Sequence, residues 1–485
     1  MRKTKWILSY LLVYLSIFFI TGVLWILGNF GEISVSQIVF LLMVPMEGAD
    51  SSIIWKFVYD CLLLPFIYCC FLFFFIYILI KIKNRISIIF DKHILKLSFV
   101  ICIISFIYSG HSIGLFSYLQ SLLRNSTLFE DYYIDPSEVE FDFPEQKRNL
   151  IYIFMESMEI SYYSEELGGV EESNLIPELY EIAEENLTFN TNGGFYVPEG
   201  TGWTVGAMVA QTSGLPLLIP IDGNSYGSFR SFLPGATSIG DILSEAGYRQ
   251  KLLIGSDASF GGRREYFTQH GNYDIVDYIA AKEKQYIDEN YYVWWGYEDS
   301  KLYEFAKEEV KELAKGSEPF NLTMLTVDTH FFDGYLCDEC EQVYESQYEN
   351  VIACASRQLY NFLTWIKQQD FYENTTIVIA GDHLTMDNDF FASIDSNYVR
   401  KGYYVFINSA AEYQGNDREV SSFDFFPTTL ASMGIKFNED RLGLGTNLFS
   451  ETPTLVEELG WEELNEQLRM TSKLYNNEIL YDKDK

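Results

Sequence analysis

The chain has 485 residues, and 34 Lys and Arg residues against 68 Asp and Glu residues give it a formal net charge of −34. A chain of this length can bury at least one large core, and the acidic excess excludes a protein that holds nucleic acid on a basic surface. The charge is uneven, because residues 1–119 carry nine Lys or Arg and only five Asp or Glu. The acidic excess therefore lies in residues 120–485, which we expect to form a soluble domain.

Three apolar runs near the N-terminus are long enough to cross about 30 Å of hydrocarbon as helices. They cover residues 6–27, 57–80 and 94–116. The first run is too long, and lacks the small-residue cleavage site, to be only a signal peptide. The apolar segment 34–45 is too short to span and is predicted to form an interfacial or re-entrant helix. Residues 1–119 are therefore predicted to be a membrane domain with three transmembrane helices, a buried helical core being the alternative.

Basic residues predict the orientation of these helices. Lys and Arg precede the first helix and surround the turn between the second and third, whereas the loop after the first helix holds Glu32, Glu47 and Asp50. Basic loops tend to remain in the cytoplasm. The N-terminus is therefore predicted to be cytoplasmic, and everything after the third helix to lie outside the cytosol.

The remainder of the chain has the pattern of an α/β protein. Residues 120–147 are polar and contain Asp135-Pro136 and Phe143-Pro144, which is typical of a linker. Beyond them, short apolar runs alternate with longer amphipathic stretches, which predicts βα units and a largely parallel sheet flanked by helices. We expect one domain over residues 148–450 and an acidic, helical tail over residues 451–485.

Seven cysteines divide between the two parts of the chain. The four in apolar segments are interpreted as buried thiols, and Cys337, Cys340 and Cys354 lie in the acidic part. If that part is outside the cytosol, a disulfide between Cys354 and either Cys340 or Cys337 is predicted. A Cys-x-x-Cys redox or zinc site is the alternative, but a zinc site needs four ligands and no His is close in sequence.

Four predicted strands lead directly into polar residues. In open α/β sheets the ligand site lies beyond the carboxyl ends of the strands, so these side chains should converge on one crevice. Strand 149–154 leads to Glu156, strand 251–254 to Asp257, strand 321–327 to Asp328-Thr329-His330, and strand 375–380 to Gly381-Asp382-His383.

Thr204 is the candidate nucleophile. It stands where the glycine-broken loop at Gly200 gives way to a run of helix formers that continues to Val209. The first N–H groups of a helix have no internal partner and carry the positive end of its dipole, which suits a phosphate attached to a nucleophilic oxygen. A plain N-cap is the alternative role for this threonine.

A divalent cation would explain the polar residues around this position. A carboxylate, a hydroxyl, a second carboxylate and an imidazole make a tetrahedral donor set for Mn²⁺ or Zn²⁺, here Glu156, Thr204, Asp382 and His383. Coordination would lower the pKa of a threonine hydroxyl, which is otherwise a poor nucleophile. The alternative for Asp382 and His383 is that they only cap the next helix.

Two further side chains complete the predicted site. His330 is assigned to proton transfer with the leaving or incoming alcohol. Arg263, in a Gly-rich loop, is a forked cation suited to holding phosphate oxygens. A structural histidine and a solvated arginine are the respective alternatives.

These residues resemble the alkaline phosphatase and sulfatase superfamily, and within it the membrane-anchored phosphoglycerol transferases, which include lipoteichoic acid synthases and the enzymes that decorate osmoregulated periplasmic glucans. The resemblance covers about residues 148–450. It is carried by Phe154-Met-Glu-Ser157, Gly200-Thr-Gly-Trp-Thr204, Arg263, Asp328-Thr-His330 and Gly381-Asp-His383.

The resemblance implies a bacterial enzyme of the cell (inner) membrane with an extracytoplasmic catalytic domain. It implies a Thr204 nucleophile, one metal, Mn²⁺ or alternatively Zn²⁺ or Mg²⁺, and substrate contacts from Arg263 and His330, to which we add Trp203 and Asp257. The implied donor is phosphatidylglycerol or a lipid-linked phosphoglycerol in the bilayer, and the implied acceptor is an envelope glycan or glycolipid. Trp203 replaces the Lys that commonly precedes the catalytic Thr of lipoteichoic enzymes, which counts against a lipoteichoic acceptor.

Other members of the superfamily fit less well. A sulfatase would need a Cys/Ser-x-Pro-x-Arg motif, which does not occur, and a two-zinc phosphatase needs more imidazoles than His270, His330 and His383 supply. A phosphoethanolamine transferase shares the nucleophile and the membrane anchor and is the main alternative. A catalytically inactive membrane-tethered sensor is the non-enzymatic one.

Overall fold

The structure, a computed structural model, describes residues 2–30, 35, 37–39, 51–81, 85–218, 231–391, 394–395 and 397–480. The chain divides into two units with the main boundary between Gln120 and Ser121. The interfacial or re-entrant helix predicted over residues 34–45 lies largely outside the described residues.

The first unit contains three helices long and apolar enough to cross a membrane, as predicted: Lys3–Phe30, Ile54–Leu79 and Lys92–Ser112. The third ends at Ser112 rather than at residue 116, because the chain turns at Gly114, whose φ is +72°. The helical segments are α1 (Arg2–Phe30), α2 (Ser51–Phe57), a π-helical turn (Val58–Leu63), α3 (Leu64–Lys81), α4 (Arg85–Ser112) and α5 (Leu115–Ser121).

Aromatic side chains pack α1 against both of the other long helices. The rings of Trp6 and Phe73 lie 5.9 Å apart, and those of Phe19 and Phe106 lie 5.4 Å apart. Both pairs meet edge to face, the arrangement that aromatic quadrupoles favour.

In the second unit, eight strands of the described residues form one sheet in the order β4-β3-β5-β1-β6-β7-β2-β8. The first five strands of that order run parallel, β7 is antiparallel to both β6 and β2, and β2 is parallel to β8. The predicted α/β class with a largely parallel sheet is therefore confirmed. The strands are β1 (Asn149–Met155), β2 (Gly194–Tyr196), β3 (Arg249–Ile254), β4 (Asp274–Val276), β5 (Phe320–Leu325), β6 (Thr375–Gly381), β7 (Gly402–Ile407) and β8 (Val420–Ser421). A separate antiparallel pair is formed by β9 (Arg441–Leu442) and β10 (Gly445–Thr446).

Helices cover both faces of the sheet. They are α6 (Leu128–Tyr132), α7 (Pro177–Glu185), α8 (Thr204–Ser213), α9 (Ile239–Glu245), α10 (Arg263–Gln269), α11 (Tyr278–Glu283), α12 (Asp299–Ala314), α13 (Gln347–Ile366), α14 (Asn388–Phe391), α15 (Phe425–Ser432), α16 (Leu455–Leu459) and α17 (Trp461–Arg469).

Strand β1 shows why both faces must be covered. Successive side chains of a strand point to opposite faces. Leu150, Tyr152 and Phe154 enter one hydrophobic core, which includes much of α8, whereas Ile151 and Ile153 enter the other, which includes residues of α12 and α13. All of them are buried, as expected for a central strand of a parallel sheet.

The segments predicted as a linker and a tail both pack within the second unit. Phe129, in the predicted linker, is buried and its ring lies 5.1 Å from that of Tyr475. The hydroxyl of Tyr475 donates to the carbonyl of Pro216 at 2.8 Å. The residues on either side of the central domain therefore contribute to its core.

The carboxyl ends of four strands lie side by side. Leu325 of β5 pairs with Phe154 of β1 and with Ile254 of β3, and Gly381 of β6 pairs with Met155. A side chain at Gly381 would have its Cβ 2.0 Å from the carbonyl oxygen of Met158, so only glycine fits there. The residues that follow these strands therefore share one edge of the sheet.

Candidate active site

Three ligand-type side chains meet where β1 and β6 end. Side-chain ligand atoms of Glu156, Asp382 and His383 all lie within 4.8 Å of one another. Nε2 of His383 is 3.5 Å from Oε1 of Glu156 and 3.4 Å from Oδ2 of Asp382. All three side chains are buried, with at most 2% exposed.

Ser157 orients both carboxylates. Its N–H donates to Oδ1 of Asp382 and its hydroxyl donates to Oε1 of Glu156, each at 2.8 Å. Ser157 has a φ of +52°, in the left-handed region that a non-glycine residue rarely adopts. Such strain is often found at functional sites, where surrounding contacts hold it in place.

His383 presents its Nε2 atom to the two carboxylates. Its Nδ1 lies 2.8 Å from the carbonyl oxygen of Leu384, which can only accept, so Nδ1 carries the proton when the ring is neutral. The backbone N–H of His383 donates to Oδ1 of Asp382 at 2.7 Å. The lone pair of Nε2 is then available to a ligand.

The electrostatics of this cluster fit a divalent cation. Burial, and then repulsion from Glu156, raise the pKa of Asp382 to about 7. Burial lowers the pKa of His383, but attraction to Asp382 and Glu156 outweighs it, so the pKa is raised. Oδ2 of Asp382 is buried and accepts no hydrogen bond from any described residue. An orphaned carboxylate oxygen, a second carboxylate and an imidazole form a donor set that suits Mn²⁺ or Zn²⁺.

Arg263 begins α10 and is buried beside the cluster. Its Nε donates to the carbonyl of Phe260 at 2.9 Å and its Nη2 donates to the carbonyl of Asp257 at 2.8 Å. Burial lowers its pKa to about 10, against the attraction of Glu156 and other carboxylates. The guanidinium is therefore charged at neutral pH, and among the described residues nothing accepts a hydrogen bond from Nη1.

Asp257 supports this loop. Its carbonyl is the acceptor for Nη2 of Arg263, and its carboxylate accepts a hydrogen bond from the backbone N–H of Ser259 at 2.8 Å. Its observed contacts thus order the loop over residues 257–263, which we call the arginine loop. Its predicted contact with substrate stays a prediction.

His330 follows β5 and faces the same cluster. Its Nδ1 donates to the carbonyl of Phe331 at 2.7 Å, which leaves Nε2 as the acceptor in the neutral ring. Burial lowers the pKa of His330 to about 4, and the charges of His383 and Arg263 act in the same direction. The imidazole is therefore neutral near pH 7 and can accept a proton.

Trp295 was not among the predicted site residues. Its ring lies 4.8 Å from that of His330 and 5.6 Å from that of Phe260, so it joins His330 to the loop that carries Arg263. Backbone hydrogen bonds between Val293 and Gly296 form the turn that carries it. The aromatic run over residues 291–295 is visible in the sequence, but spacing alone does not relate it to His330.

Thr204 is the first residue of α8, as predicted. Trp203 is the N-cap, so Thr204 lies one position inside the helix and is half-buried. No described residue hydrogen-bonds its hydroxyl. A Cβ placed on Gly261 would lie 3.6 Å from Cγ1 of Val205, so the arginine loop packs against the start of this helix.

The far end of α8 is tied to β6. Gln211 donates to the carbonyl of Gly381 at 2.9 Å and accepts from the hydroxyl of Tyr152 at 2.9 Å. The ring of Trp203, predicted to contact substrate, is buried and packs against Gly206 of its own helix.

A disulfide lies in the segment that follows His330. It joins Cys340 to Cys354 of α13, one of the two pairings that the sequence left open. Cys337 is a free, buried thiol whose Sγ is 3.4 Å from that of Cys340. The bridge connects the loop after His330 to the long helix behind it.

The chain is similar in sequence to known proteins. The sulfatase model matches residues 148–435. Phosphoglycerol transferase I of Xanthomonas campestris pv. campestris is 35% identical over 266 residues, which are 52% of this chain and 36% of that protein. Phosphoglycerol transferase I of Escherichia coli is 29% identical over 331 residues, which are 66% of this chain and 41% of that protein. The chain thus matches less than half the length of these relatives.

Solved structures show the same fold. An alkaline phosphatase superfamily protein from Vibrio parahaemolyticus has a TM-score of 0.51 at 22% identity, over 67% of this chain and 76% of its own. The lipoteichoic acid synthase LtaP from Listeria monocytogenes has a TM-score of 0.51 at 19% identity, over 67% of this chain and 81% of its own. At these identities the likeness is one of fold.

Proposed function

Because the chain belongs to the sulfatase family, we propose that it is a membrane-anchored phosphoglycerol transferase. Relatives named phosphoglycerol transferase I support the nature of the transferred group. The observation that carries the proposal is the meeting of Glu156, Asp382 and His383 at the sheet edge to which Arg263 and His330 also belong. The proposed donor is phosphatidylglycerol, the product is diacylglycerol, and the acceptor is a hydroxyl of an envelope glycan or glycerol phosphate.

The membrane anchor suits a lipid donor. Three helices long and apolar enough to cross a membrane precede the catalytic domain, which we assign to residues 148–450. With the N-terminus in the cytoplasm, that domain faces the outer side of the membrane. The donor then stays in the bilayer, and the acceptor approaches the domain from the aqueous phase outside the cytosol.

Glu156, Asp382 and His383 would hold one divalent cation, with Thr204 as a further ligand. When bound, such a cation supplies positive charge that lowers the pKa of a coordinated hydroxyl and stabilises negative charge on phosphate oxygens. The buried Oδ2 of Asp382 supports this assignment, because leaving a carboxylate oxygen without a hydrogen-bond partner inside a protein costs free energy.

The reaction proceeds in two half-reactions. In the first, the Thr204 hydroxyl gives up its proton to Nε2 of His330, Oγ attacks the phosphorus, the bond from phosphorus to the diacylglycerol oxygen breaks, and that oxygen takes the proton from His330. In the second, an acceptor hydroxyl gives up its proton to Nε2 of His330 and attacks the phosphothreonine, the bond from phosphorus to Oγ breaks, and Oγ of Thr204 recovers the proton. His330 is thus neutral again after each half-reaction, in keeping with its lowered pKa.

Arg263 holds the phosphoryl group during both half-reactions. Two of its nitrogens are committed to backbone carbonyls, which orients the guanidinium plane and leaves Nη1 for a phosphate oxygen. A planar, permanently charged group fixed in this way binds phosphate more specifically than a flexible ammonium would.

A transfer assay tests the proposal. The full-length chain in detergent is incubated with fluorescent phosphatidylglycerol, with Mn²⁺ or with a chelator, and the lipid products are separated. We expect diacylglycerol only in the presence of the metal. Release of diacylglycerol from phosphatidylethanolamine instead would contradict the proposal and favour a phosphoethanolamine transferase.

A further inference from the structure

A buried tyrosine hydroxyl joins the loops that follow β5 and β6. Tyr348, at the start of α13, is 2% exposed. Its hydroxyl donates to the carbonyl of Thr329 at 3.0 Å and lies 2.6 Å from Oγ1 of Thr385. A phenol has one hydrogen and the Thr329 carbonyl can only accept, so the hydroxyl of Thr385 is the donor to Tyr348.

The two residues bound by Tyr348 neighbour the candidate site. Thr329 directly precedes His330, and Thr385 lies two residues after His383. The hydroxyl of Thr329 in turn donates to the backbone carbonyl of Glu156 at 2.5 Å. One phenol oxygen therefore contacts the loops after β5 and β6 directly, and the Thr329 hydroxyl continues the link to the backbone of Glu156 after β1.

A second tyrosine extends the link to the loop after β1. The hydroxyl of Tyr162 donates to the carbonyl of Ser157 at 2.9 Å, and its oxygen lies 3.4 Å from that of Tyr348. Ser157 is the residue that orients both carboxylates of the cluster. The two phenols together therefore contact Ser157, Thr329 and Thr385, one residue in each of the loops after β1, β5 and β6.

Thr385 is held at every polar atom. Its N–H donates to Oε1 of the buried Glu159 at 3.1 Å, its carbonyl accepts from Nη2 of Arg400 at 2.8 Å, and its Oγ1 accepts from the N–H of Asp387 at 3.0 Å. Arg400 also pairs with Glu159. Thr385 is thus a fixed point, and Tyr348 is its connection to the loop of His330.

We propose that Tyr348 is a positioning residue of the candidate metal centre, which holds the loops after β1, β5 and β6 in register so that Glu156, Asp382 and His383 present their ligand atoms together. The inference rests on the proposed function, because it takes this cluster to be the metal site. Groups that hydrogen-bond metal ligands directly typically contribute 10- to 100-fold to metal affinity, and Tyr348, which bonds Thr329 and Thr385 instead, should contribute at the lower end of that range. Tyr348 would act on the metal through the backbone of the ligand loops.

Metal affinity of the full-length chain in detergent tests this role. Mn²⁺ binding is measured by isothermal titration calorimetry, with the thermal midpoint measured in parallel. Tyr348→Phe removes one oxygen and keeps the ring, and we expect it to raise the Kd for Mn²⁺ about 10-fold or more. Thr385→Val, which removes the partner hydroxyl, should weaken binding in the same direction. The double variant should weaken binding by less than the product of the two single effects, because both changes remove the same hydrogen bond.

Tyr163→Phe is the matched control. Tyr163 is as buried as Tyr348, but its hydroxyl has no hydrogen-bond partner among the described residues. The Tyr163→Phe variant should therefore bind Mn²⁺ with the parental Kd. A parental Kd for both Tyr348→Phe and Thr385→Val, or equal weakening in Tyr163→Phe, would overturn the positioning role. A parent chain that takes up no Mn²⁺ would instead overturn the metal site of the proposed function, and this inference with it.

Discussion

Oε1 of Glu156 lies 3.5 Å from Nε2 of His383 at the ends of the adjacent strands β1 and β6. Oδ2 of Asp382 lies almost equally close to the same nitrogen and has no hydrogen-bond donor among the described residues. Oxygens of the two carboxylates lie within 4.8 Å of each other. Two buried carboxylates this close repel each other unless a positive charge lies between them. The relationship between Glu156 and His383 is therefore the structural basis for expecting a metal-dependent reaction.

Replacing Thr204 should separate folding from transfer. Thr204→Ala removes the proposed nucleophile at a half-buried position whose hydroxyl bonds no described residue, so the thermal midpoint should change little. Transfer from fluorescent phosphatidylglycerol should fall to background. Thr204→Ser keeps a hydroxyl and should retain part of the activity, and mass spectrometry of the parent, quenched before acceptor is added, should find phosphoglycerol on Thr204. Near-parental transfer by Thr204→Ala would rule out the covalent route.

Arg263 and Arg264 offer a matched pair of substitutions. In Arg263→Lys a single ammonium replaces three directed nitrogens, two of which bond the backbone of the loop. Charge-assisted bonds to phosphate contribute about 1.5–3 kcal/mol, so kcat/KM should fall by about 10- to 100-fold. Arg264→Lys should have a small effect, because Arg264 is more exposed and pairs with Asp277, a carboxylate that a lysine ammonium can also pair with. Equal losses in both variants would mean that Arg263 only supports the fold.

The protonation of His330 should appear in the pH dependence of stability. Its folded pKa of about 4 lies below the value near 6.5 of an unfolded histidine. The unfolded chain therefore binds this proton more tightly, so stability present above pH 6.5 is lost as the pH falls toward 4, by at most about 1.4 kcal/mol per pH unit. His330→Gln cannot take up the proton, so its thermal midpoint should fall less than that of the parent between pH 7 and pH 5. Parallel losses in the two proteins would contradict the lowered pKa.

The strand-end residues were predictable because parallel strands bring their carboxyl ends to the same edge. Glu156, Asp382 and His383 follow buried strands directly and His330 follows the end of β5 by five residues, so their positions in the sequence relate them to the sheet. Trp295 and Tyr348 lack that relation. Trp295 reaches His330 on a turn between α11 and α12, and Tyr348 reaches Thr329 and Thr385 from a helix end. No periodicity specifies such contacts, because they depend on how elements distant in sequence pack.

The sequence by itself determined the three long apolar helices, the α/β class and the residues that end four strands, since hydrophobic length and alternation follow from local chemistry. Only the tertiary structure decided that Cys340 rather than Cys337 pairs with Cys354, that the ring of Trp203 packs on its own helix, and that residues 121–147 and 451–480 lie within the second unit. The disulfide and the packing of the two flanking segments depend on distances across the fold, and the position of the Trp203 ring depends on its side-chain conformation; composition and spacing specify neither. The contact between Glu156 and His383 depends on both the sequence pattern and the tertiary structure. The pattern places each residue after a strand, the strand order makes the two residues neighbours, and Ser157 orients the carboxylates.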